Sequence, residues 1–573
     1  MLKIPYGESS FEKIITKKYF YQDRTHYIRT LEKFNSSFLF YLRPRRFGKS
    51  LFITMLHSYY GLEYKDKFQK LFGHLEIGQN PTENANAYMV LSLEFSRIST
   101  KSEESTFKGF LDNTKGGVRA FIEQYGAFFP KETHKEILDK DEPVLVLKTL
   151  FNTYHSINLE KELPKIYILI DEYDHFANEL ISFNYKYFST SVSQNGFVRK
   201  FYESIKTATR DNIVERMFVT GVSPITLDSL TSGFNISSNI SLRHDFHEMM
   251  GFNEREVEQI LKKIGVEESD LAKMLNDLRA WYDGYSFNLK AKNHVYNPDM
   301  VLFFAMEYQS FGEYPNDLLD PNIATDYSKI KNIFKIQNKE TDNFEALKQL
   351  SDDGFVKAAL TPQFSLEKDF STDDVISLLF YMGFLTLQDE SLGTYKFAFP
   401  NFVIKRLYAD YFVDMVKQQA ALPIQNRNLN LALNELGNYG NPEAFYKEVK
   451  EILTALSNRD MQGFSENALK AIFISLLHQQ KFYYIHSEYE TKRTYVDIFL
   501  EGIKNYNVPF EVAFELKYAK ISENINVESE LNKAEKQLLN YLHSKKFNKR
   551  PNVKAFVVLV QGLEIHSREI NVL

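Results

Sequence analysis

Short, continuously apolar runs alternate with stretches of helical apolar spacing over the first part of the chain. The runs lie at residues 38–42, 88–95, 166–170 and 216–221. Runs of this length that are apolar throughout are typical of parallel strands covered by helices on both faces. The pattern therefore predicts an α/β unit with a parallel sheet over about residues 1–250.

The pattern changes to mainly helical spacing over about residues 251–420. Asn253 and Glu256 have the spacing of a capping box, which predicts the start of a helix. A helical run at residues 375–384 leads into two short apolar segments separated by a polar turn, the second at residues 395–399. Because a helix followed by a hairpin is the outline of a winged helix, we expect a helical, winged-helix-like connector here.

A third pattern begins after about residue 420. Helical spacing predicts one helix at residues 466–477 and a long helix at about residues 528–544. Apolar runs bounded by polar turns predict strands, the first two of which form a hairpin. The predicted strands lie at residues 496–500, 510–516 and 555–560. This order predicts a small α/β module of its own over residues 421–573.

The segment between the first strand and the following helix carries a phosphate-loop pattern, Gly48-Lys49-Ser50. In such loops backbone N–H groups surround the β-phosphate, and the lysine reaches the β- and γ-phosphates. Arg43 stands where the first glycine belongs, so the motif is degenerate, yet its position between a buried strand and a helix favours nucleotide binding. The expected nucleotide contacts are Arg45, Arg46, Phe47, Gly48, Lys49, Ser50, Leu51 and Asp171.

Acidic and hydroxyl side chains follow two later strands of the predicted sheet. We expect Asp171 to hold Mg²⁺ together with the Ser50 hydroxyl, and Glu172 to polarise the attacking water. Thr220 or Ser223 is either a sensor of the γ-phosphate or an ordinary loop hydroxyl.

The three arginines of the loop, at positions 43, 45 and 46, leave alternatives open. Their guanidinium groups could bind the nucleotide, pair with carboxylates between domains or contact a nucleic-acid backbone. The pattern alone does not choose between these roles.

A second set of charged residues lies on the C-terminal hairpin. Asp497 is on one strand, and Glu515 and Lys517, two residues apart, share a face of the other. Charges in an apolar sheet are costly unless they are paired or bind a metal. Asp497 and Glu515 are expected to hold Mg²⁺ for phosphodiester hydrolysis, with Lys517 placing the water and Glu466 as a further carboxylate ligand. The alternative from spacing alone is a surface salt bridge.

Composition and charge narrow the classes of function. The chain has 573 residues, of which 44% are hydrophobic and 25% charged, as in globular proteins of several modules. The absence of cysteine excludes thiolate metal sites and cysteine nucleophiles, so any metal sits on oxygen or imidazole. A net charge of −6 leaves nucleic-acid binding to local patches such as residues 545–550. Without a signal or membrane-spanning run, we expect a cytoplasmic location.

Taken together, these motifs resemble those of bacterial AAA-ATPase-like proteins with a C-terminal PD-(D/E)XK nuclease domain. The resemblance covers nearly the whole chain and implies a P-loop ATPase core, a Mg²⁺-dependent nuclease and the arginine-rich loop as a shared trait. One departure is Val496, which stands where the nuclease signature has proline. The matching segments are residues 4–7, 21–25, 42–50, 170–174, 220–224, 281–285 and 296–298, with Glu466, Asp497, Glu515 and Lys517.

Two functions follow from the motifs and the resemblance. The first is an ATP-binding, ATP-hydrolysing protein whose nuclease module cuts DNA, or less readily RNA, in defence or in the handling of mobile elements. The second is a nucleotide-dependent regulatory or scaffold protein whose nuclease fold is inactive and only binds nucleic acid or a protein. Assembly into a homo-oligomer is left open.

Overall fold

The structure is a computed structural model. It describes residues 2–571 except 97, 184–186, 188–190, 192–195, 226–235, 321–322, 324–348, 351–353, 365–369, 420–426, 457–463, 481, 492–493, 504–505, 543–549 and 551. The described residues form two compact units. The larger is built from residues 2–314 and 357–400, and the smaller mainly from residues 315–320 and 401–571.

A parallel sheet forms the core of the larger unit. Its strands lie in the order β2-β3-β4-β1-β5, and every pairing is parallel. Almost every residue of β1 and β3 is buried, which is why their sequences are continuous apolar runs. The predicted α/β fold with a parallel sheet is therefore confirmed. The strands are β1 (Phe38–Leu42), β2 (Met89–Glu94), β3 (Ile166–Asp171), β4 (Val214–Gly221) and β5 (Ser238–Asn239).

Helices cover this sheet and continue into the middle of the chain. The helix that follows the phosphate loop packs on β3 and β2, and the long helix after β2 packs back on β2. The helices are α1 (Phe11–Thr16), α2 (His26–Lys33), α3 (Lys49–Tyr60), α4 (Phe68–Phe72), α5 (Glu76–Gln79), α6 (Glu103–Tyr125), α7 (Lys131–Leu138), α8 (Pro143–Glu160), α9 (His175–Phe183), α10 (Phe197–Arg210), α11 (Glu254–Lys263), α12 (Glu268–Tyr282), α13 (Pro298–Phe311) and α14 (Thr372–Tyr381). Among the described residues, no helix is both long and apolar enough to cross a membrane.

The start of α11 is fixed by the predicted capping box and by a distant arginine. Asn253 and Glu256 each accept a hydrogen bond from the backbone N–H of the other. Arg24 donates to both carboxylate oxygens of Glu256, at 2.5 and 2.7 Å. From the sequence, the position of Asp23 before the helical run at residues 27–31 predicts that it caps α2, and this prediction is wrong. Thr25 holds the N-cap position, and one Asp23 oxygen accepts from its N–H and hydroxyl.

The single tryptophan, Trp281, lies at the end of α12 and is buried, with 2% of its surface exposed. Its ring contacts the rings of Tyr282 and Tyr314. The aromatic motif at residues 281–285 therefore belongs to the core of the larger unit, as aromatic side chains commonly do.

A three-stranded sheet follows the middle helices. Helix α14 leads into the hairpin of β7 (Thr386–Ser391) and β8 (Thr394–Ala398), and β6 (Phe355–Ala358) pairs with the far edge of β8. The predicted order of helix and hairpin is thus present, with a third strand added.

The smaller unit contains a five-stranded mixed sheet with helices on both faces. The strand order is β13-β12-β11-β10-β9, in which β11 and β12 run parallel and the other pairs antiparallel. The strands are β9 (Tyr483–Thr491), β10 (Thr494–Gly502), β11 (Glu511–Ala519), β12 (Val553–Gln561) and β13 (Glu564–Ile570). The helices are α15 (Phe402–Gln419), α16 (Arg427–Tyr439), α17 (Glu443–Ala455), α18 (Glu466–Leu477) and α19 (Val527–Leu542).

The ends of β3 and β4 are held together by one buried carboxylate, Asp174. It accepts hydrogen bonds from the N–H groups of Val222 and Ser223 and from the Ser223 hydroxyl. The adjacent Gly221 leaves room for this carboxylate, because a Cβ there would overlap Asp174 Oδ1 and lie 2.5 Å from the Tyr173 ring. A side chain at position 221 therefore displaces the group that joins the two strand ends.

We expect Gly221→Ala to destabilise the larger unit by about 2–4 kcal/mol, because overpacking and lost hydrogen bonds add. Thermal unfolding followed by tryptophan fluorescence measures this change. Gly116→Ala is the matched control, since nothing lies within 4 Å of a Cβ at that exposed position of α6. Equal melting temperatures for the two variants would contradict the proposed role of Asp174.

Candidate functional sites

The phosphate loop is the connection between the end of β1 and the start of α3. Gly48, the residue before α3, has a φ of 91°, and nothing lies within 4 Å of where its Cβ would be. Arg46 also has a positive φ, of 67°. The left-handed backbone turns the loop over the N-terminus of α3, where N–H groups without helical partners favour an anion. Open space at Gly48 therefore lies at a position suited to a phosphate.

Lys49, the first residue of α3, is folded back onto its own loop. Its ammonium group donates to the carbonyl oxygens of Arg43 at 3.1 Å and of Pro44 at 3.0 Å. Burial lowers the pKa of Lys49, while the nearby carboxylates of Glu172 and Asp171 act in the opposite direction. The lysine is thus held beside the loop by carbonyl groups that a phosphate can replace as hydrogen-bond acceptors.

Asp171, the last residue of β3, lies beside the start of α3. Burial raises its pKa to about 6, and a hydrogen bond with Ser50 and the charge of Lys49 partly offset that effect. The structure therefore brings together Lys49, Ser50 and Asp171. A hydroxyl and a carboxylate form the pair of protein ligands that Mg²⁺ takes beside a bound phosphate.

Glu172 is connected to the loop through a histidine. Its backbone has a positive φ of 49°, and its carboxylate lies 3.4 Å from Nδ1 of His175. The same Nδ1 lies 3.3 Å from a guanidinium nitrogen of Arg45. The sequence alone favours a surface or satisfied histidine at His175, and only its position three residues after Glu172 indicates this link.

Arg46 and Phe47 face the middle region of the same unit. Arg46 lies 4.0 Å from a carboxylate oxygen of Asp299, near the start of α13. The Phe47 ring is buried edge-on against Tyr285 and Phe287, with ring centroids 5.1 and 5.7 Å away. The ring of Phe47 is thus part of the core, while its N–H belongs to the loop. Leu51 follows as a half-buried residue of α3.

Arg43 is a structural residue. Its side chain is 1% exposed, and its guanidinium donates to the carbonyl groups of the residues at positions 42, 241, 246 and 247. The same group lies over the rings of Tyr41 and Phe287, 4.3 and 4.1 Å from their centroids. An arginine therefore replaces the expected glycine because it joins β1 to the segment after β5.

The second set of charges converges in the smaller unit. Glu466 opens α18, and Lys517 lies near the end of β11, with its ammonium 3.2 Å from Glu466 and 3.5 Å from Glu515. Asp497 on β10 accepts a hydrogen bond of 2.8 Å from the backbone N–H of Leu516, between these two β11 residues. The structure therefore brings together all four residues of the expected nuclease site.

A fifth residue, Lys470, was not anticipated from the sequence. Its ammonium lies 2.8 Å from Asp497 Oδ1, and both side chains are almost fully buried, at 5% and 4% exposure. Lys470 is one helical turn after Glu466 on α18, whose other side chains from 468 to 477 are apolar apart from Ser475. A lone lysine in an apolar helix is the signal that could have found it.

The carboxylate of Glu515 is the group of this cluster that is best suited to bind a metal ion. Its Oε2 is buried and has no hydrogen-bond partner, which is costly for a carboxylate unless a cation binds it. Burial first, and then the charge of Asp497, raise its pKa to about 7. Among the described residues no three acidic or imidazole groups are placed to hold an ion unaided. Two carboxylates, completed by water and a phosphate, are nevertheless a usual Mg²⁺ site.

The basic stretch at residues 545–550 was a candidate for contacts with phosphate. Residues 545–549 lie outside the described part of the chain. Arg550 is paired with Glu501 at 2.8 Å and with Glu511 at 2.7 Å, and it lies over the ring of Phe499. Its charge is therefore engaged with carboxylates of the sheet.

The raised pKa of Glu515 makes stability depend on pH. Between the ordinary pKa of 4.5 and about 7, the folded state binds more protons at this group than the unfolded state, so stability falls as the pH rises. Glu515→Gln does not ionise at this position, so its stability does not fall in this way as the pH rises. In EDTA at pH 8 we expect the variant to be more stable than wild type by up to about 3 kcal/mol, with no difference near pH 4.5.

Thermal unfolding of both proteins across this pH range measures the difference. Glu564→Gln is the matched control, because that carboxylate is 71% exposed and pairs only with the surface residue Lys450 among its described ion pairs. A gap that is constant with pH would show that Glu515 ionises normally.

Family models match two regions of the chain. Residues 5–231 match the family described as predicted AAA-ATPase, and residues 464–569 match the PD-(D/E)XK nuclease superfamily. A curated relative, the "Uncharacterized protein in vnfD 5'region" of Azotobacter chroococcum mcd 1, is 26% identical over 412 residues. These cover 70% of this chain and 68% of the relative. The resemblance inferred from sequence is confirmed: the chain carries a predicted AAA-ATPase domain followed by a C-terminal domain of the PD-(D/E)XK nuclease superfamily.

Proposed function

We propose that this protein binds and hydrolyses ATP in its larger unit and cleaves phosphodiester bonds, in DNA more readily than in RNA, in its C-terminal module in the presence of Mg²⁺. The observation that carries the nuclease proposal is the buried, unpartnered Oε2 of Glu515 beside Asp497, Lys517 and Glu466. Such an arrangement is costly for the fold and is expected where a metal completes it.

In the larger unit, the loop positions the phosphates. The N–H groups at the start of α3, with Lys49, bind the β- and γ-phosphates, and the Ser50 hydroxyl and Asp171 hold Mg²⁺. Glu172, near His175, orients the water that attacks the γ-phosphate. Arg45 contacts His175, as Glu172 does, and its guanidinium offsets charge on the phosphates.

In the C-terminal module, Asp497 and Glu515 would hold one or two Mg²⁺ ions, with Glu466 as an outer carboxylate. Mg²⁺ bound there would lower the pKa of a water ligand and neutralise charge at the phosphate. Lys517, positioned by Glu466 at 3.2 Å, orients the attacking water and offsets charge on the scissile phosphate. The hydrogen bond from the Leu516 N–H fixes the orientation of Asp497 for this task.

The biological setting is proposed by analogy with the domain combination. An ATP-controlled nuclease in the cytoplasm suits defence against foreign DNA or the handling of mobile elements. One observation favours the alternative of an inactive, binding-only module, namely the pairing of Asp497 with Lys470, which engages an oxygen that a metal would need.

Cleavage and ATP turnover by the purified full chain test the proposal. We expect nicking or degradation of plasmid, linear and single-stranded DNA with Mg²⁺, and none with EDTA. Lys49→Ala should abolish ATP turnover, whereas the surface variant Lys450→Ala should keep it. A protein that hydrolyses ATP but cuts neither DNA nor RNA with Mg²⁺ or Mn²⁺ would favour the alternative.

A further inference from the structure

Two ion pairs connect α18 to the hairpin of β10 and β11 in a crossed arrangement. The acid of the helix, Glu466, pairs with the lysine of the strand, Lys517. The lysine of the helix, Lys470, pairs with the acid of the strand, Asp497. The Lys517 ammonium also lies 3.5 Å from Oε1 of Glu515, whose Oε2 has no hydrogen-bond partner.

Both oxygens of Asp497 are engaged in this arrangement. Oδ2 accepts from the Leu516 N–H and Oδ1 lies against the Lys470 ammonium, each at 2.8 Å. A backbone N–H leaves the carboxylate free to bind a cation as well. A second positive charge at this distance does not, because like charges a few ångströms apart in a buried site repel strongly.

The helix keeps Lys470 in this place. Residues 468 to 477 of α18 are all buried, so the backbone of the helix is fixed by the core around it. The four-carbon side chain of lysine is the part that can move, since it carries its charge on a flexible stem. Departure of Lys470 from Asp497 is therefore a movement of its side chain, which is 5% exposed where it stands.

We propose that Lys470 competes with the divalent metal for Asp497, so that the nuclease module binds metal weakly until nucleic acid is present. This inference rests on the proposed function, because it takes Asp497 as a metal ligand. A phosphate brought by the substrate offers Lys470 another anionic partner and adds a ligand for the ion. Metal and nucleic acid then bind cooperatively. The nuclease site stays largely free of metal until nucleic acid binds.

Metal binding by the full chain without nucleic acid tests this proposal. Isothermal titration of nucleotide-free protein with Mg²⁺ and with Mn²⁺, in a parent that carries Lys49→Ala to silence the first site, isolates the nuclease module. We expect Lys470→Met to bind at least about tenfold more tightly than the parent protein. Lys470→Gln, which keeps a hydrogen bond to Asp497 without the charge, should show the same direction and guards against misfolding. Lys450→Met, on an exposed pair, should bind as the parent does.

Unchanged or weaker binding by both Lys470 variants would overturn the competition and make Lys470 a residue that only positions Asp497. Asp497→Asn is also added to the parent protein and to each Lys470 variant. This separates failure of the proposed competition from failure of the proposed function. Loss of binding on Asp497→Asn, without tightening on Lys470→Met, defeats the competition alone. Binding that is indifferent to Asp497→Asn places the metal elsewhere and defeats the proposed nuclease site as well.

Discussion

Asp497→Asn is expected to lower Mg²⁺-dependent cleavage at least about 100-fold, since even residues that only support metal ligands have effects approaching that size. The amide keeps the shape of the side chain and one acceptor for the Leu516 N–H, but it loses the charge that faces Lys470 and the metal. Initial rates on linear and plasmid DNA measure the loss. ATP turnover should be unchanged, because Asp497 lies in the other compact unit.

The matched control for Asp497→Asn is Glu564→Gln, which neutralises an exposed carboxylate of the same module. It should cut DNA at the wild-type rate. Robust cutting by Asp497→Asn would mean that the activity belongs to another site or to a contaminating nuclease. Equal losses in both variants would mean that the loss is not specific to the proposed metal site.

Arg43→Gly, which restores the glycine of the usual phosphate loop, is expected to harm the protein. It removes a buried guanidinium that satisfies four carbonyl groups and lies over two aromatic rings. We expect the larger unit to lose more than about 3 kcal/mol of stability and nucleotide binding to weaken with it. Thermal unfolding and titration with a fluorescent ATP analogue measure the two effects.

Two further arginine variants define the cause. Arg210→Ala removes a guanidinium that is 76% exposed and should change neither property. Arg43→Lys keeps the charge but cannot fork between carbonyls or stack as a plane, so we expect an intermediate loss. If Arg43→Gly were as stable as wild type and bound ATP more tightly, Arg43 would be a degenerate loop residue without a structural role.

The sequence predicted the interior strands of the two five-stranded sheets and the edge strand β2, but not the other three edges. Strands such as β3 and β12 are buried on both faces, so they read as apolar runs. The strand β13, at the edge of the second sheet, is mostly exposed or half-buried and reads EIHSREI, which has no apolar run. It and β9, the opposite edge, were missed for this reason. The pairing that makes them strands comes from their neighbours in space.

The sequence predicted those site residues whose relative positions are set within one strand or one short motif. Glu515 and Lys517 share a face because strands alternate, the predicted hairpin brings Asp497 beside them, and Glu466 stands near the start of the preceding predicted helix. Lys470 and Arg43 were missed or left open because their partners are far apart in sequence. Asp497 is 27 positions after Lys470, and three of the four carbonyl groups around Arg43 lie about 200 positions away. Only packing brings such groups together.

The aromatic content of 15% predicts mainly core and domain-interface packing, with a base-stacking surface as the alternative. Among the described residues, rings such as Phe47, Tyr285 and Phe287 form buried contacts. These contacts account for the rings around the phosphate loop. The base-stacking alternative stays a hypothesis for the remaining rings.

The position of Trp281 makes intrinsic fluorescence a selective probe of this protein. Because the only indole is buried in the larger unit, its emission maximum shifts when that unit unfolds, whatever the state of the nuclease module. Far-ultraviolet circular dichroism instead averages over the whole chain. If the unfolding midpoints from fluorescence and from circular dichroism coincide, the chain unfolds in one cooperative transition. If they differ, the two measurements give the stability of each unit from a single unlabelled sample.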